Sequence, residues 1–281
     1  MEAVLPLIAY ERRLDVLEVV KTSGAGHIGG CMSCMDILVS LYYGLMDIDK
    51  LRCRAFDRDR FILSKGHCAE ALYTILADLG FITRETLRMF AAFDSILAEH
   101  PTPKIPGVEV ATGALGHGLS VGVGMALGLK AASCCAGVYV LMGDGEQAEG
   151  SVWEAVMAAG KYKLDNLTGI IDRNLLQISG GTEDIMPMGN LGEKYRAFGW
   201  ECRLCDGHDP GSILTALSGG HAGKPLVVIA ATVKGFGSPV MEGITQWHHQ
   251  IPDANDYNRI RADLIMARDR CIQESGGVVI G

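Results

Sequence analysis

Four apolar runs between positions 137 and 233 most narrow what this chain can fold into: GVYVLMGDG, LTGIIDRN, GWECRLCDG and PLVVIAATV. Each is short and followed by glycine or polar residues, and all but GWECRLCDG, which carries Glu201 and Arg203, are nearly continuous in apolar character. Runs of that kind suit strands buried on both faces. Ser151 to Lys163 and the shorter Ser212 to Leu217 read as helices between them, and RFILS further upstream reads as another short strand. Strands alternating with helices predict an α/β fold, a parallel sheet covered by helices on both faces. In such sheets ligands bind beyond the carboxyl ends of the strands.

The first part of the chain reads as helical. Tyr10, Leu14, Leu17 and Lys21 share one helical face, widened by Val16, Val19 and Val20, which predicts an amphipathic helix over Leu7 to Lys21. Ser33 and Asp36 have the spacing of a capping box, so a second helix is expected to start there and run to about Tyr43. Helices are also expected over His67 to Leu79, Thr83 to about Phe93, Leu119 to Ala131 and Tyr257 to Glu274, with residues 94–118 as a long functional loop. Between the first two helices lies SGAGHIGG, in which Gly24, Gly26 and Gly29 have the spacing G-x-G-x-x-G. A dinucleotide turn would follow a strand. Here a helix precedes it, which weakens a nicotinamide-dehydrogenase reading.

The 281 residues are 48% hydrophobic and 21% charged, enough to bury a large core and too apolar for general disorder. The net charge of -8 argues against a nucleic-acid or anionic-membrane surface. No apolar run is expected to reach the roughly 18 residues of a membrane span, and Glu2 stands where a signal peptide would carry a cation. The expectation is a cytoplasmic chain with no nucleic-acid or membrane partner. Nine cysteines include the pairs Cys31/Cys34 and Cys202/Cys205. In a strand, positions three apart point to opposite faces, so Cys202 and Cys205 are expected to be separate thiols and not half of a zinc site.

Asp144 and Asn174 follow two of the predicted strands and are hard oxygen ligands. Such residues suit a small divalent ion completed by a phosphate, and the glycines around Asp144 allow backbone N–H groups to approach a diphosphate. A tight turn and a strand-end cap would leave the same residues.

These segments resemble a known family. GDGEQAEGSVWEA with DNLTGIIDRN resembles the thiamine-diphosphate signature of the transketolase family. SGAGHIGG, DRDRFILSKGHCAEALY, PGVEVATGALGHGLSVGVGMALG and DGHD resemble further motifs of that family in the same order. The resemblance covers nearly the whole chain and implies a thiamine-diphosphate-binding (diphosphate-domain) fold, one domain over residues 1–281, equivalent to the N-terminal third to half of a transketolase. It implies Mg2+ (or Ca2+ or Mn2+) held by the side chains of Asp144 and Asn174 and the Leu176 carbonyl. Gly145 would meet the diphosphate through its N–H, with His67 beside it, while Gly113, Leu115 and Ile178 line the coenzyme. His27 and His248 would transfer protons at substrate oxygens, His248 also touching the coenzyme, and His100 would hold the donor's terminal hydroxyl. Imidazole suits such transfers near neutral pH.

The family's pyrimidine-binding domain has no counterpart in these 281 residues. The resemblance therefore implies the N-terminal subunit of a split transketolase, sharing its site with a C-terminal subunit, in an α2β2 heterotetramer acting on small sugars. His117, Ile28 and His249 depart from the pattern, standing where the family has glutamine, proline and glycine. His117 either alters hydrogen bonding near the coenzyme or is a tolerated change. Two other readings stay open: a thiamine-diphosphate enzyme acting on pyruvate or another 2-oxo acid, and a non-catalytic cofactor-binding scaffold.

Overall fold

The structure, a computed structural model, describes residues 4–219, 221 and 223–274. In chain order it contains α1 (Leu5–Ser23), α2 (Ile28–Val39), α3 (Ile48–Arg52), β1 (Arg60–Leu63), α4 (Ala69–Asp78), α5 (Arg84–Arg88), α6 (His117–Ala131) and β2 (Val138–Gly143). Then follow α7 (Gly150–Tyr162), β3 (Leu167–Arg173), α8 (Thr182–Ile185), α9 (Leu191–Ala197), β4 (Glu201–Asp206), α10 (Pro210–Leu217), β5 (Leu226–Ala231) and α11 (Ala254–Glu274). The five strands form one sheet in the order β1-β2-β3-β5-β4, and every pairing is parallel.

Alternation along the strands divides the core in two. Phe61, Leu63, Leu141, Ile170, Val228 and Ala230 pack on one face with α1, α2, α4, α10 and α11. Ile62, Val140, Met142, Ile171, Val227 and Ile229 pack on the other with α6, α7 and α9. Cys205 joins the first cluster and Cys202 lies against the second, on opposite faces of β4 as their spacing predicts. The expected helices over 119–131, 151–163, 212–217 and 257–274 all form within a few residues of their predicted ends. The helix expected over 83–93 stops at Arg88, Thr83 capping it by accepting the N–H of Thr86 at 3.1 Å.

Two expectations are overturned in α2. Ser33 and Asp36 do not open the helix; it starts at Ile28, and both side chains are buried in its middle. Asp36 pairs with the Arg13 guanidinium of α1 and with Nδ1 of His208 at 2.8 Å. Burial would raise the Asp36 carboxyl, but Arg13 and His208 outweigh it and hold it below the usual range. Val233 donates its N–H to Nε2 of His208 at 2.8 Å, so the ring's proton sits on Nδ1 and points at Asp36. The span Ile28–Leu45, α2 with one wider helical turn after it, is also apolar and long enough to cross a membrane by composition, contrary to the reading of the sequence. Within the fold 83% of it is buried, and it serves as the central helix of one face.

Candidate functional site

Every strand of the sheet points its carboxyl end at the same edge, and there the connecting loops enclose a cavity of about 400 Å³. The loop after β1 contributes Lys65 and His67. The loop after β2 contributes Asp144, Gly145 and Glu146, and that after β3 contributes Asn174, Leu176, Gln177 and Ile178. Lys234 follows β5, and His100, Gly113, Leu115 and His248 complete the wall. Each site residue expected from the sequence lines this cavity except His27. Its ring stands just behind, 5.5 Å from His67, 6.1 Å from His100 and 5.5 Å from His248 between centroids.

The SGAGHIGG loop holds His27 there. Gly26 has φ +124°, a conformation that side chains disfavour, and the next N–H, of His27, donates to Glu70 at 2.6 Å. A β-carbon on Gly29 would stand 2.6 Å from the Trp247 carbonyl oxygen, so only glycine lets the Thr245–His248 turn close over α2. The glycines bring two histidines together; they are not a dinucleotide turn, and α1 precedes them where that turn needs a strand.

The floor of the cavity is a buried polar network that the sequence reading missed in large part. Lys65 and Asp172, both fully buried, form an ion pair. Asp172 also accepts from Ser33 at 2.6 Å, from Thr232, and from Asn174 at 3.3 Å. Burial would raise Asp172, and the Lys65 charge with these donors holds it down. Glu146 accepts from Ser64, from Gly116 N at 2.9 Å and from Gly143 N at 3.0 Å, and burial raises its carboxyl. The signal for Lys65 and Lys234 was positional: each lies within a few residues of a strand's carboxyl end, like Asp144 and Asn174.

At the β2 and β3 ends, Asp144 accepts the N–H of Leu175 at 2.8 Å and the Thr182 hydroxyl at 3.1 Å on one oxygen, and the N–H of Gly145 at 2.7 Å on the other. Burial, then the Asp172 charge, raises its carboxyl, an arrangement that favours a neighbouring cation. The Gly145 N–H expected to face a diphosphate is thus turned to Asp144. Leu175 has φ +64°, costly for a residue with a β-carbon, and this places its N–H on Asp144 while Asn174 accepts from Leu176 N at 3.1 Å.

A magnesium diphosphate fits the residues present. Asp144, the Asn174 amide and Leu176 are oxygen donors on one wall. Lys65, Lys234 and His67 supply positive or hydrogen-bonding groups to the same cavity. No atom lies within 4 Å of where a β-carbon on Gly143 would stand, so the space a side chain would fill is left to a ligand. Burial, with Lys65 beside it, lowers Lys234 to about 8, so it remains an ammonium at neutral pH. It donates to Nδ1 of His248 at 2.9 Å, which leaves the proton of that ring on Nε2. Burial, then Lys234, lowers His248 to about 3; burial, then His249, lowers His27 to about 4; burial, then Lys65, holds His67 well below the usual value. All three rings are neutral at physiological pH.

Of the three departures, Ile28 is a fully buried core residue. His117 is exposed, donates from Nδ1 to the Leu115 carbonyl at 3.0 Å, and lines a second cavity. His249 faces Glu99. Exposed apolar side chains gather between β3 and α9: Leu175, Ile178, Ile185 and Met186 are 46–68% exposed, and Leu115 lines the same cavity as Ile178.

Residues 6–272 match the family described as "Transketolase, thiamine diphosphate binding domain". An apulose-4-phosphate transketolase subunit of Phocaeicola vulgatus is 46% identical over 275 residues, 97% of this chain and 98% of that one. A 6-deoxy-6-sulfo-D-fructose transketolase subunit from a Clostridium species is 39% identical over 85% of this chain and 87% of its own. The solved transketolase of Campylobacter jejuni superposes with a TM-score of 0.81 at 29% identity, over 97% of this chain. This chain spans 47% of that protein's length.

Proposed function

The chain belongs to the transketolase family, and on that premise we propose that it is the coenzyme-anchoring subunit of a split transketolase. It moves a two-carbon ketol unit from a ketose to an aldehyde, with a second chain supplying the pyrimidine-binding domain. The observation that carries this reading is that one cavity is lined by Asp144, Asn174 and Leu176 together with His67, His100 and His248. The near-complete coverage of two proteins named as subunits, against under half of a solved transketolase, supports the divided architecture.

Bound thiamine diphosphate supplies the electron sink that lets a ketose carbon–carbon bond break. Asp144, Asn174 and the Leu176 carbonyl would hold Mg2+ or a similar ion, and Lys234 and His67 would hold the diphosphate. Leu115 and Ile178 would flank the coenzyme rings. Nε2–H of His248 is free to donate to a substrate oxygen, because Lys234 occupies the other nitrogen. His27, just behind the cavity wall and held neutral by burial, would take a proton from a substrate oxygen through its ring. His100, beside Gly113, would orient the donor's hydroxyl. The exposed Leu175, Ile178, Ile185 and Met186 would be covered by the partner, in an α2β2 assembly whose subunits share each site.

The test is reconstitution. Purified alone, the chain is expected to give no ketol transfer with thiamine diphosphate and Mg2+; once the pyrimidine-domain subunit is present, transfer appears. Apulose 4-phosphate, 6-deoxy-6-sulfofructose and xylulose 5-phosphate are the donors to compare, the first two on the names of the relatives. Asp144→Ala is expected to cost the assembled enzyme roughly a hundredfold or more in rate, the scale of losing a preorganised charge contact. Full turnover by the chain alone, or unchanged turnover by the variant, overturns the reading. Activity with pyruvate and none with ketoses transfers it to 2-oxo acid chemistry.

A further inference from the structure

Two consecutive pairs, Glu99-His100 and His248-His249, divide their side chains. His100 and His248 line the cavity, while Glu99 and His249 stay outside its lining and gather at His27. There the ligating atoms of His27, Glu99 and His249 all lie within 4.8 Å of one another. Nδ1 of His27 is 3.7 Å from Glu99 Oε2, and Nε2 of His249 is 3.3 Å from the same oxygen. The two rings are 4.5 Å apart between centroids. Two ligands placed tetrahedrally about 2.1 Å from one zinc ion lie about 3.4 Å from each other. Two edges of such a site are therefore nearly formed. His249 is half exposed and free to adjust the third, while the N–H bond to Glu70 pins the backbone at His27.

The unexplained group in this cluster is Nδ1 of His27, buried with no hydrogen-bond partner among the described residues although a carboxylate stands nearby. A buried polar atom of that kind calls for a ligand. We infer that His27, Glu99 and His249 form a second metal site that takes a zinc-class divalent ion, separate from the hard-ion site at Asp144 and Asn174. Two imidazoles and one carboxylate select zinc, nickel or copper over magnesium, and three protein ligands leave a position open toward solvent or the cavity. The neutral state of His27 leaves its lone pair available. Because the ion would fix and charge the ring assigned to proton transfer, the loaded site inhibits ketol transfer reversibly; this consequence, unlike the binding itself, rests on the proposed function.

The test is zinc uptake by the full-length chain in excess Mg2+, followed by competition with a chromogenic zinc chelator. One ion per chain is expected. His249→Gly and Glu99→Gln should each weaken binding roughly tenfold or more, since even an outer partner of a metal ligand is worth that much, while Asp144→Ala leaves zinc uptake unchanged. No uptake by the parent chain, or uptake that survives both His249→Gly and Glu99→Gln, overturns the site, as does uptake lost only in Asp144→Ala. Circular dichroism of each variant, showing the parent's fold, secures the comparison. Ketol transfer in Mg2+ without zinc tests the functional reading independently, so failure of one leaves the other intact. In the reconstituted enzyme, inhibition by zinc that a chelator reverses and that is weaker in Glu99→Gln is the expected result; no inhibition at zinc-saturating concentrations overturns the consequence.

Discussion

The floor of the cavity and its rim use the same kinds of group, charges and hydrogen-bonding rings, but in opposite states of completion. On the floor, Asp172 has Lys65, Ser33, Thr232 and Asn174 around it, and Glu146 has Ser64 and two backbone N–H groups. At the rim, His27, His67 and His248 pack against one another, and burial keeps all three neutral. The floor is finished by folding. The rim is finished only by a ligand, because neutral imidazoles touching each other hold unused donor and acceptor capacity ready for one.

Substitutions should separate the two regions by stability. The largest effect is expected from Asp172→Ala, which leaves the Lys65 ammonium buried and unpaired. Removing one member of a buried pair costs about 3–5 kcal/mol, read from urea unfolding of the full chain. Ser33→Ala removes a hydroxyl donor to that same carboxylate and should cost about 1.5–3 kcal/mol. A floor variant with the stability of its parent would break the comparison.

At the rim the expected effects are smaller and depend on acid. His248→Gln replaces the ring nitrogen that accepts from Lys234 by an amide oxygen and should cost about 0.5–1.5 kcal/mol at pH 7, the scale of one hydrogen bond. The sign of its pH dependence follows from the lowered value. Folded, His248 takes a proton only near 3, whereas unfolded it does so near 6.5. Acid therefore favours the unfolded chain: the stability associated with this ring is present above about 6.5 and is lost as pH falls toward 3. His248→Gln removes that loss, so the variant should lose less stability than its parent between pH 6.5 and 4. Equal losses in the two chains would mean that the ring is not held neutral.

The chain order of residues was enough to determine the parallel sheet, because buried strands and amphipathic helices repeat with periods visible over a few residues. It was also enough to place Asp144, Asn174 and Lys65 at one edge in principle, since parallel strands must send their carboxyl ends the same way. The motifs around His27, His67, His100 and His248 marked these residues as a set through resemblance, while their spacing along the chain says nothing of ring-to-ring contact.

Tertiary structure alone decided what each buried charge does. Ser33 and Asp36 have the local spacing of a helix cap, yet they sit inside α2 because Asp172 lies 139 positions from Ser33 and Arg13 and His208 converge on Asp36. An isolated helix would profit from the cap; the folded protein gains more by satisfying buried carboxylates. The meeting of His27, Glu99 and His249 is likewise invisible in the chain, since His249 is 150 positions from Glu99. Local preference is written in neighbouring residues, but the desolvation of a charge depends on groups that only the packed sheet and its loops bring within reach.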